Sequence, residues 1–169
     1  ALALVLSLGT LPSRAESSIV TIGDAAITGD VGGYTYDESN RILTITSVGE
    51  YTIARASASS YGSIPLSIVI EANGEVTLTL SNIIIRSTII SGKEVAEPAI
   101  NIKSGSLTLV SVGASTIYSS GGLTNSETAP AIKGDVTITG DNLKIGGADG
   151  LSMSSSMSGE RGGLGGYGI

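Results

Sequence analysis

Acidic side chains that could bind a metal ion lie at predicted turns near the end of the chain. Asp135, Asp141 and Asp149 border short segments of alternating apolar and polar residues. Carboxylates and loop carbonyls are the ligands that Ca²⁺ takes in proteins. Asp135 and Asp141 flank one predicted strand, so we expect them at its opposite ends and out of direct contact. The alternative role for each aspartate is a turn residue that bonds nearby backbone N–H groups.

Tyrosine and lysine side chains could bind a carbohydrate, which requires an aromatic platform together with charged or hydrogen-bonding groups. Tyr118 lies in the segment STIYSS, where alternation with Ile117 predicts that the tyrosine points outward. Tyr61 lies in a predicted loop, and Lys103 and Lys133 each follow a Pro-Ala-Ile element. Packing against the core would also explain the tyrosines, and surface solubility would also explain the lysines.

The composition excludes several classes of function. The chain has 169 residues with 24 Gly and six Tyr, and it contains no His, Cys, Trp or Phe. Without His or Cys it cannot form a Ser-His-Asp triad or a His/Cys zinc site. No pair of carboxylates lies on one predicted strand face, as a glycosidase would need. The net charge of −6 argues against nucleic acid as a partner. We therefore predict a protein that is not an enzyme.

A five-residue pattern recurs along the sequence. VTLTL begins at Val76, LTLVS at Leu107 and VTITG at Val136, and a related LTITS begins at Leu43. Alternate residues of each copy are aliphatic, which is typical of a strand with one buried face. Val76 and Leu107 are 31 positions apart, and Leu107 and Val136 are 29 apart. Each period contains three predicted strands and one loop of variable length, which indicates a solenoid.

We therefore predict an all-β chain that forms a right-handed parallel β-helix, with three short strands per coil and tight turns at Asn or Gly. Stacked coils would form an aliphatic interior from Val76, Leu78, Leu80, Leu107, Leu109, Val136 and Ile138. The outer face would carry a strip of Thr77, Thr79, Thr108, Thr137 and Thr139. Thr44 and Thr46 are expected to begin this strip.

The ends of the sequence differ from the repeats. Residues 1–15 contain an apolar run and a small-x-small site, so we expect the remnant of a signal peptide. The run is too short to span a membrane. Residues 16–63 are expected to form an irregular N-terminal cap with the first coil or coils, and residues 64–150 the further β-helix coils. Residues 151–169 are rich in Gly and Ser, and we expect a flexible segment or a truncated next coil. These features predict a protein that is secreted or at the cell surface.

The order of these segments resembles a family of secreted bacterial β-helix proteins with a carbohydrate-binding domain. The segments that carry the resemblance are Gly49 to Ile53 (GEYTI), Val76 to Ile85, Pro98-Ala99-Ile100, Pro130-Ala131-Ile132 and Asp135 to Gly140. These motifs are mainly structural, so they bear more on the fold than on the function. The resemblance implies a non-catalytic module that binds acidic or cellulosic plant polysaccharides, with calcium in its loops.

Two other functions fit the same sequence. A regular Thr-x-Thr pattern on a flat β-helix face could match an ordered lattice such as ice, although Val110 interrupts the pattern. The coils could also serve as an adhesin stalk that only projects another domain from the cell surface. Retention on insoluble polysaccharides, with and without calcium, distinguishes the first function from these two.

Overall fold

The described part of the chain consists mainly of strands. The structure, a computed structural model, describes residues 17–56, 62–88, 97–120, 129–147 and 152–155. Within these ranges the strands are β1 (Ser17–Ile22), β2 (Ala25–Asp30), β3 (Tyr34–Asp37), β4 (Ile42–Ile45), β5 (Gly49–Arg55), β6 (Ile64–Pro65), β7 (Ser67–Ile70), β8 (Glu75–Ser81), β9 (Ile84–Arg86), β10 (Ile100–Ile102), β11 (Ser106–Val112), β12 (Ser115–Tyr118), β13 (Ile132–Lys133), β14 (Val136–Gly140), β15 (Leu143–Gly146) and β16 (Ser152–Ser155). No helix in the same ranges is long and apolar enough to cross a membrane. The predicted signal-peptide remnant lies outside the described residues.

The strands form three sheets, which the chain visits in a fixed order. Sheet A contains β1, β2, β5, β8, β11 and β14, sheet B contains β3, β4, β7, β10 and β13, and sheet C contains β6, β9, β12, β15 and β16. From β4 onward, successive strands join sheets B, A and C, and this cycle occurs four times. We call each group of three strands a repeat. Neighbouring repeats pair in parallel in every sheet. The predicted all-β class and parallel pairing of the recurring segments are confirmed.

Antiparallel strands border the parallel ones. β2 pairs with β5 in sheet A and with β1 on its other side. β3 pairs with β4 in sheet B, and β16 pairs with β15 in sheet C. An unpaired strand edge presents free N–H and C=O groups that invite association. The antiparallel strands satisfy these groups on β4, β5 and β15.

The register of sheet A stacks the recurring segments on one another. Val76 pairs with Leu107, and Leu107 pairs with Val136. A second inward row consists of Tyr51, Leu78, Leu109 and Ile138. All of these side chains are buried except that of Ile138, which is partly buried against the core. Strands in a sheet lie about 4.7–4.9 Å apart, so side chains at equivalent positions pack directly on each other. The predicted aliphatic stacking is confirmed.

The N-terminal copy of the pattern, LTITS, lies in a different sheet from the other copies. LTITS begins at Leu43 in β4, and β4 pairs with β7 in sheet B. In sheet A, the strand of the first repeat that pairs with β8 is β5, and this pairing places Thr52 beside Thr79. The prediction that Thr44 and Thr46 begin the threonine strip is therefore wrong. Alternation predicts that a strand has two faces, but it does not say which sheet the strand joins.

Residues with a left-handed backbone form the corner between sheets A and C. Asn82 (φ 49°), Gly113 (φ 68°) and Asn142 (φ 57°) follow β8, β11 and β14. Glycine adopts this conformation freely and asparagine tolerates it. The Asn82 Oδ1 atom accepts a hydrogen bond of 3.3 Å from the Ala114 N–H, which links the second repeat to the third. The predicted tight turns at Asn or Gly are confirmed at this corner.

Replacing Gly113 with alanine is expected to lower the free energy of unfolding by about 1–3 kcal/mol. The left-handed backbone disfavours a Cβ atom, and a Cβ at this position would overlap the Asn82 Oδ1 atom. Gly23→Ala is the matched control, because Gly23 has a φ of +55° but no atom near an added Cβ. Urea unfolding of both variants measures the difference. A loss at Gly113 no larger than that at Gly23 would contradict the contribution of the Asn82 contact.

Candidate functional site

Sheet C has one face toward the core and one toward solvent. Ile85 in β9 and Ile117 in β12 are fully buried. Side chains alternate between the two faces along a strand. Tyr118 follows Ile117 directly, so it lies on the outer face, as the alternation predicts, and its side chain is half-buried there.

An aromatic residue and two cations lie close together on this outer face. The register places Arg86 of β9 beside Tyr118 of β12. It also places Thr116 of β12 beside Lys144 of β15. Thr116 is two residues before Tyr118 in β12, so both lie on the same face of the sheet. Arg86 and Lys144 are exposed, and Thr116 is half-buried. We call Arg86, Thr116, Tyr118 and Lys144 the sheet C surface.

The sheet C surface is locally basic on an acidic chain. Arg86 and Lys144 are the charged residues of the four parallel strands of sheet C, whereas the whole chain carries a net charge of −6. Arginine binds carboxylates in a bidentate geometry, and lysine acts as a compact point charge. Tyrosine offers an apolar ring with a polar tip. This combination is suited to a ligand with both apolar faces and hydroxyl or carboxylate groups.

Arg86 and Lys144 are not predicted as site residues from the sequence. Their segments, NIIIRS and NLKIGG, share little with STIYSS apart from an inward isoleucine. The structure pairs these isoleucines, Ile85, Ile117 and Ile145, in one row. Alignment of the three segments on this isoleucine would have placed Arg86 next to Tyr118.

The two lysines predicted for carbohydrate binding lie on sheet B or beside it, and Tyr118 lies on sheet C. Lys133 is exposed in β13, where it pairs with Asn101 of β10. Lys103 follows β10, and its Nζ atom lies 2.8 Å from the Glu71 Oε1 atom. Both side chains of this ion pair are largely exposed, so the pair contributes at most about 1 kcal/mol to stability. Tyr61, the other predicted contact, lies outside the described residues.

Asp135 and Asp141, the two predicted metal ligands that the structure describes, do not meet in one site. Asp135 and Asp141 are exposed at opposite ends of β14, as expected. Asp149 lies outside the described residues. In the described ranges, no three Asp, Glu, His or Cys residues come together as a metal-binding group. Two monodentate or bidentate carboxylates supply too few ligands for Ca²⁺, which takes about six to eight oxygens.

The outer face of sheet A carries threonine in register. One row contains Thr77, Thr108 and Thr137. The neighbouring row contains Thr52, Thr79, Val110 and Thr139. Val110 interrupts the second row, and the Thr108 hydroxyl donates a hydrogen bond of 2.8 Å to Glu75 Oε1. Part of the hydroxyl array is therefore bonded within the protein.

Comparison of the chain with family models, with curated proteins and with solved structures finds no match in any of the three. The function is therefore inferred from the sequence and from the described residues.

Proposed function

We propose that this chain is a non-catalytic, extracellular polysaccharide-binding module, and that its repeats form a right-handed parallel β-helix. The proposed binding site is the sheet C surface. The observation that carries the proposal is the register that pairs Tyr118 with Arg86 on adjacent strands and places Lys144 on the strand beyond. The family resemblance of the sequence agrees with this function.

Two features of the topology support the β-helix. Sheets B, A and C receive one strand each in the same order in all four repeats. Neighbouring repeats pair in parallel in all three sheets. Connections between parallel strands of one sheet are right-handed in almost all proteins, because a right-twisted strand packs its crossover back onto the sheet only in that hand. Right-handed winding is therefore part of the proposal.

The sheet C surface would bind an extended sugar polymer through three kinds of contact. The Tyr118 ring would pack against the apolar C–H face of a sugar ring. The Arg86 guanidinium would bind a carboxylate or paired hydroxyls on a neighbouring sugar. Lys144 would attract a further anionic group at longer range. A polymer that runs across the strands can contact successive repeats, whereas one that runs along a strand soon reaches a corner.

The proposed function includes bound calcium, and a separate experiment tests whether calcium is needed for binding. Asp135 and Asp141 would each contribute carboxylate oxygens, and further ligands would come from outside the described residues, of which Asp149 is a candidate. Retention on polysaccharide is compared in Ca²⁺ and in a chelator. Equal retention in both would remove calcium from the proposal and leave the sheet C surface unaffected.

Tyr118→Ala is expected to weaken polysaccharide binding at least about tenfold, which corresponds to about 1.4 kcal/mol. The binding isotherm on insoluble polygalacturonate and on cellulose measures the change. Tyr118→Phe keeps the ring and is expected to retain most of the affinity.

Charge variants provide a matched control for the same experiment. Arg86→Gln is expected to weaken binding to polygalacturonate, whereas Lys103→Gln removes one charge beside sheet B and is expected to leave binding unchanged. Undiminished binding by Tyr118→Ala would contradict the sheet C surface as the site. No retention of the unaltered protein on any polysaccharide would contradict the function and favour the stalk.

Lattice binding is a second candidate, favoured by the uninterrupted row of Thr77, Thr108 and Thr137 on sheet A. A thermal-hysteresis assay tests it. Hysteresis that is lost in Thr108→Leu and kept in Tyr118→Ala would support this candidate in place of polysaccharide binding.

A further inference from the structure

The corner between β7 and β8 contains the dipeptide Asn73-Gly74. β7 ends at Ile70 and β8 begins at Glu75, which leaves four residues in the corner. The corresponding corner of the next repeat, residues 103–105, has three. Asn73 is exposed to solvent and Gly74 is half-buried. The corner between β7 and β8 is therefore one residue longer than the corner between β10 and β11, and it exposes an asparagine side chain to solvent.

The Gly74 nitrogen directly follows Asn73 in the chain. Among the described residues, no acceptor is hydrogen-bonded to the Gly74 N–H. Glycine has no Cβ atom, so nothing on Gly74 itself shields the nitrogen from the preceding side chain. Asparagine is one of the thermolabile residues of proteins, and its side-chain amide is most reactive when the following nitrogen is free.

The corner asparagines of the other sheet junction are not followed by glycine. Asn82 precedes Ile83 and Asn142 precedes Leu143, so a bulky side chain follows each amide. The Asn82 Oδ1 atom also accepts a hydrogen bond from the Ala114 N–H, and the Ile83 N–H donates one to the Ser115 Oγ atom. These two positions serve as internal references for Asn73.

We propose that Asn73 is a site of spontaneous deamidation in the folded protein. The Gly74 nitrogen attacks Asn73 Cγ, and a new N–Cγ bond forms. The Cγ–Nδ2 bond breaks, the proton of the attacking amide passes through water to the leaving group, and ammonia leaves. Water then opens the resulting succinimide at either carbonyl and gives aspartate or isoaspartate. The net reaction consumes one water and releases one ammonia, and it requires no oxidant and no cofactor.

The product forms next to two contacts between the second and third repeats. A new carboxylate at position 73 stands between Glu71 and Glu75, so the corner becomes more acidic. The isoaspartyl linkage also adds a carbon atom to the backbone there. The Gly74 carbonyl accepts a hydrogen bond of 3.1 Å from the Ser106 N–H, and the Ala72 carbonyl accepts one of 3.2 Å from the Ser104 hydroxyl. Both bonds lie beside the altered linkage.

Isoaspartate mapping of the folded chain tests the proposal. The protein is incubated at mildly alkaline pH, labelled with an isoaspartate-specific methyltransferase and digested. We expect label in the peptide that contains Asn73 and no label in the peptides that contain Asn82 or Asn142. A slower reaction at mildly acidic pH is expected, because the attacking nitrogen must lose its proton.

Two variants and the unfolded chain provide the controls. Asn73→Gln and Gly74→Ala are each expected to lose the label. A Cβ at Gly74 would lie 2.6 Å from the Val48 Cγ1 atom, and urea unfolding shows whether the variant folds normally. Asn73→Gln alters no glycine and keeps the test valid if Gly74→Ala does not fold. Label at Asn73 in urea but not in the folded protein would overturn the proposal, as would equal labelling of Asn73 and Asn82.

Discussion

Replacing Tyr51 with alanine is expected to lower the free energy of unfolding by about 3–5 kcal/mol, as for other large buried aromatic residues. Tyr51 is only 1% exposed, and its side chain is the largest of the fully buried ones in the described ranges. A Cβ added at Gly29 would overlap the Tyr51 ring, and one added at Gly33 would overlap its hydroxyl. The ring of Tyr34 meets that of Tyr51 edge to face at 6.2 Å. Alanine would leave this space empty.

The hydroxyl of Tyr51 has a separate and smaller role. It lies 3.0 Å from the Ser47 carbonyl and 3.2 Å from the Gly33 carbonyl, and it can donate to one of them at a time. Tyr51→Phe keeps the ring and is expected to cost about 0.5–1.5 kcal/mol. Chemical denaturation of the unaltered protein and of the two variants separates the contribution of the ring to the free energy of unfolding from that of the hydroxyl. A loss in Tyr51→Ala no larger than that in Tyr51→Phe would contradict the packing role of the ring.

The Tyr51 hydroxyl also predicts a pH dependence of stability. Burial, followed by the charge of Asp30, raises the pKa of Tyr51 above its ordinary value of 10.0. The folded state therefore favours the protonated phenol. This contribution to stability is present below pH 10.0 and is lost as the pH rises through the higher pKa of the folded state. Tyr51→Phe is expected to lose less stability than the unaltered protein over that alkaline range.

Replacing Leu78 with alanine is expected to lower the free energy of unfolding by about 2–5 kcal/mol. Leu78 is fully buried in the central row of sheet A, between Tyr51 of the first repeat and Leu109 of the third. Truncation would open a cavity against both neighbours. Thermal or urea unfolding monitored by circular dichroism measures the loss.

The matched control for Leu78 is its neighbour in the sequence. Thr77 lies on the other face of β8 and is partly exposed, so Thr77→Ala is expected to change stability by less than about 0.5 kcal/mol. The two substitutions differ by one position along the strand. Similar losses at the two positions would contradict the assignment of inner and outer faces.

The sequence predicts the regular part of the fold because the same physical constraint recurs in each repeat. A narrow interior accepts aliphatic side chains at alternate positions, and Val76, Leu107 and Val136 therefore occupy one row. Left-handed corners accept only a few residue types, so Asn82 and Gly113 are recognisable as turns without a structure. Both features are local in sequence and repeat at a constant spacing.

The first repeat is harder to predict because its residues differ from those of the later repeats. The segment of the first repeat that matches VTLTL in space is GEYTI, from Gly49 to Ile53. Tyr51 there takes the place of an aliphatic residue, and it fits because Gly29 and Gly33 contribute no side chains. This compensation involves positions far apart in the sequence. LTITS at Leu43 has the more similar letters but belongs to another sheet.

The candidate site is predicted only in part, because it depends on the register between unlike segments. The outward position of Tyr118 follows from its alternation with Ile117. The proximity of Arg86 follows only from the pairing of β9 with β12. Lys103 is predicted as a ligand contact from its charge alone, and the structure pairs it with Glu71. Cross-strand partners of this kind are not apparent from spacing within a single segment.

Disulfide formation between introduced cysteines tests most directly whether the repeats stack in parallel and in register. The chain contains no cysteine, so each pair can be introduced on its own. Thr79 pairs with Val110, and Val110 pairs with Thr139. Thr79 and Thr139 are therefore two strand spacings apart, about 9–10 Å, which exceeds the reach of a disulfide. We expect mild oxidation to cross-link Thr79→Cys with Val110→Cys and to leave Thr79→Cys with Thr139→Cys reduced. Cross-linking of the second pair in preference to the first would contradict the stacked register.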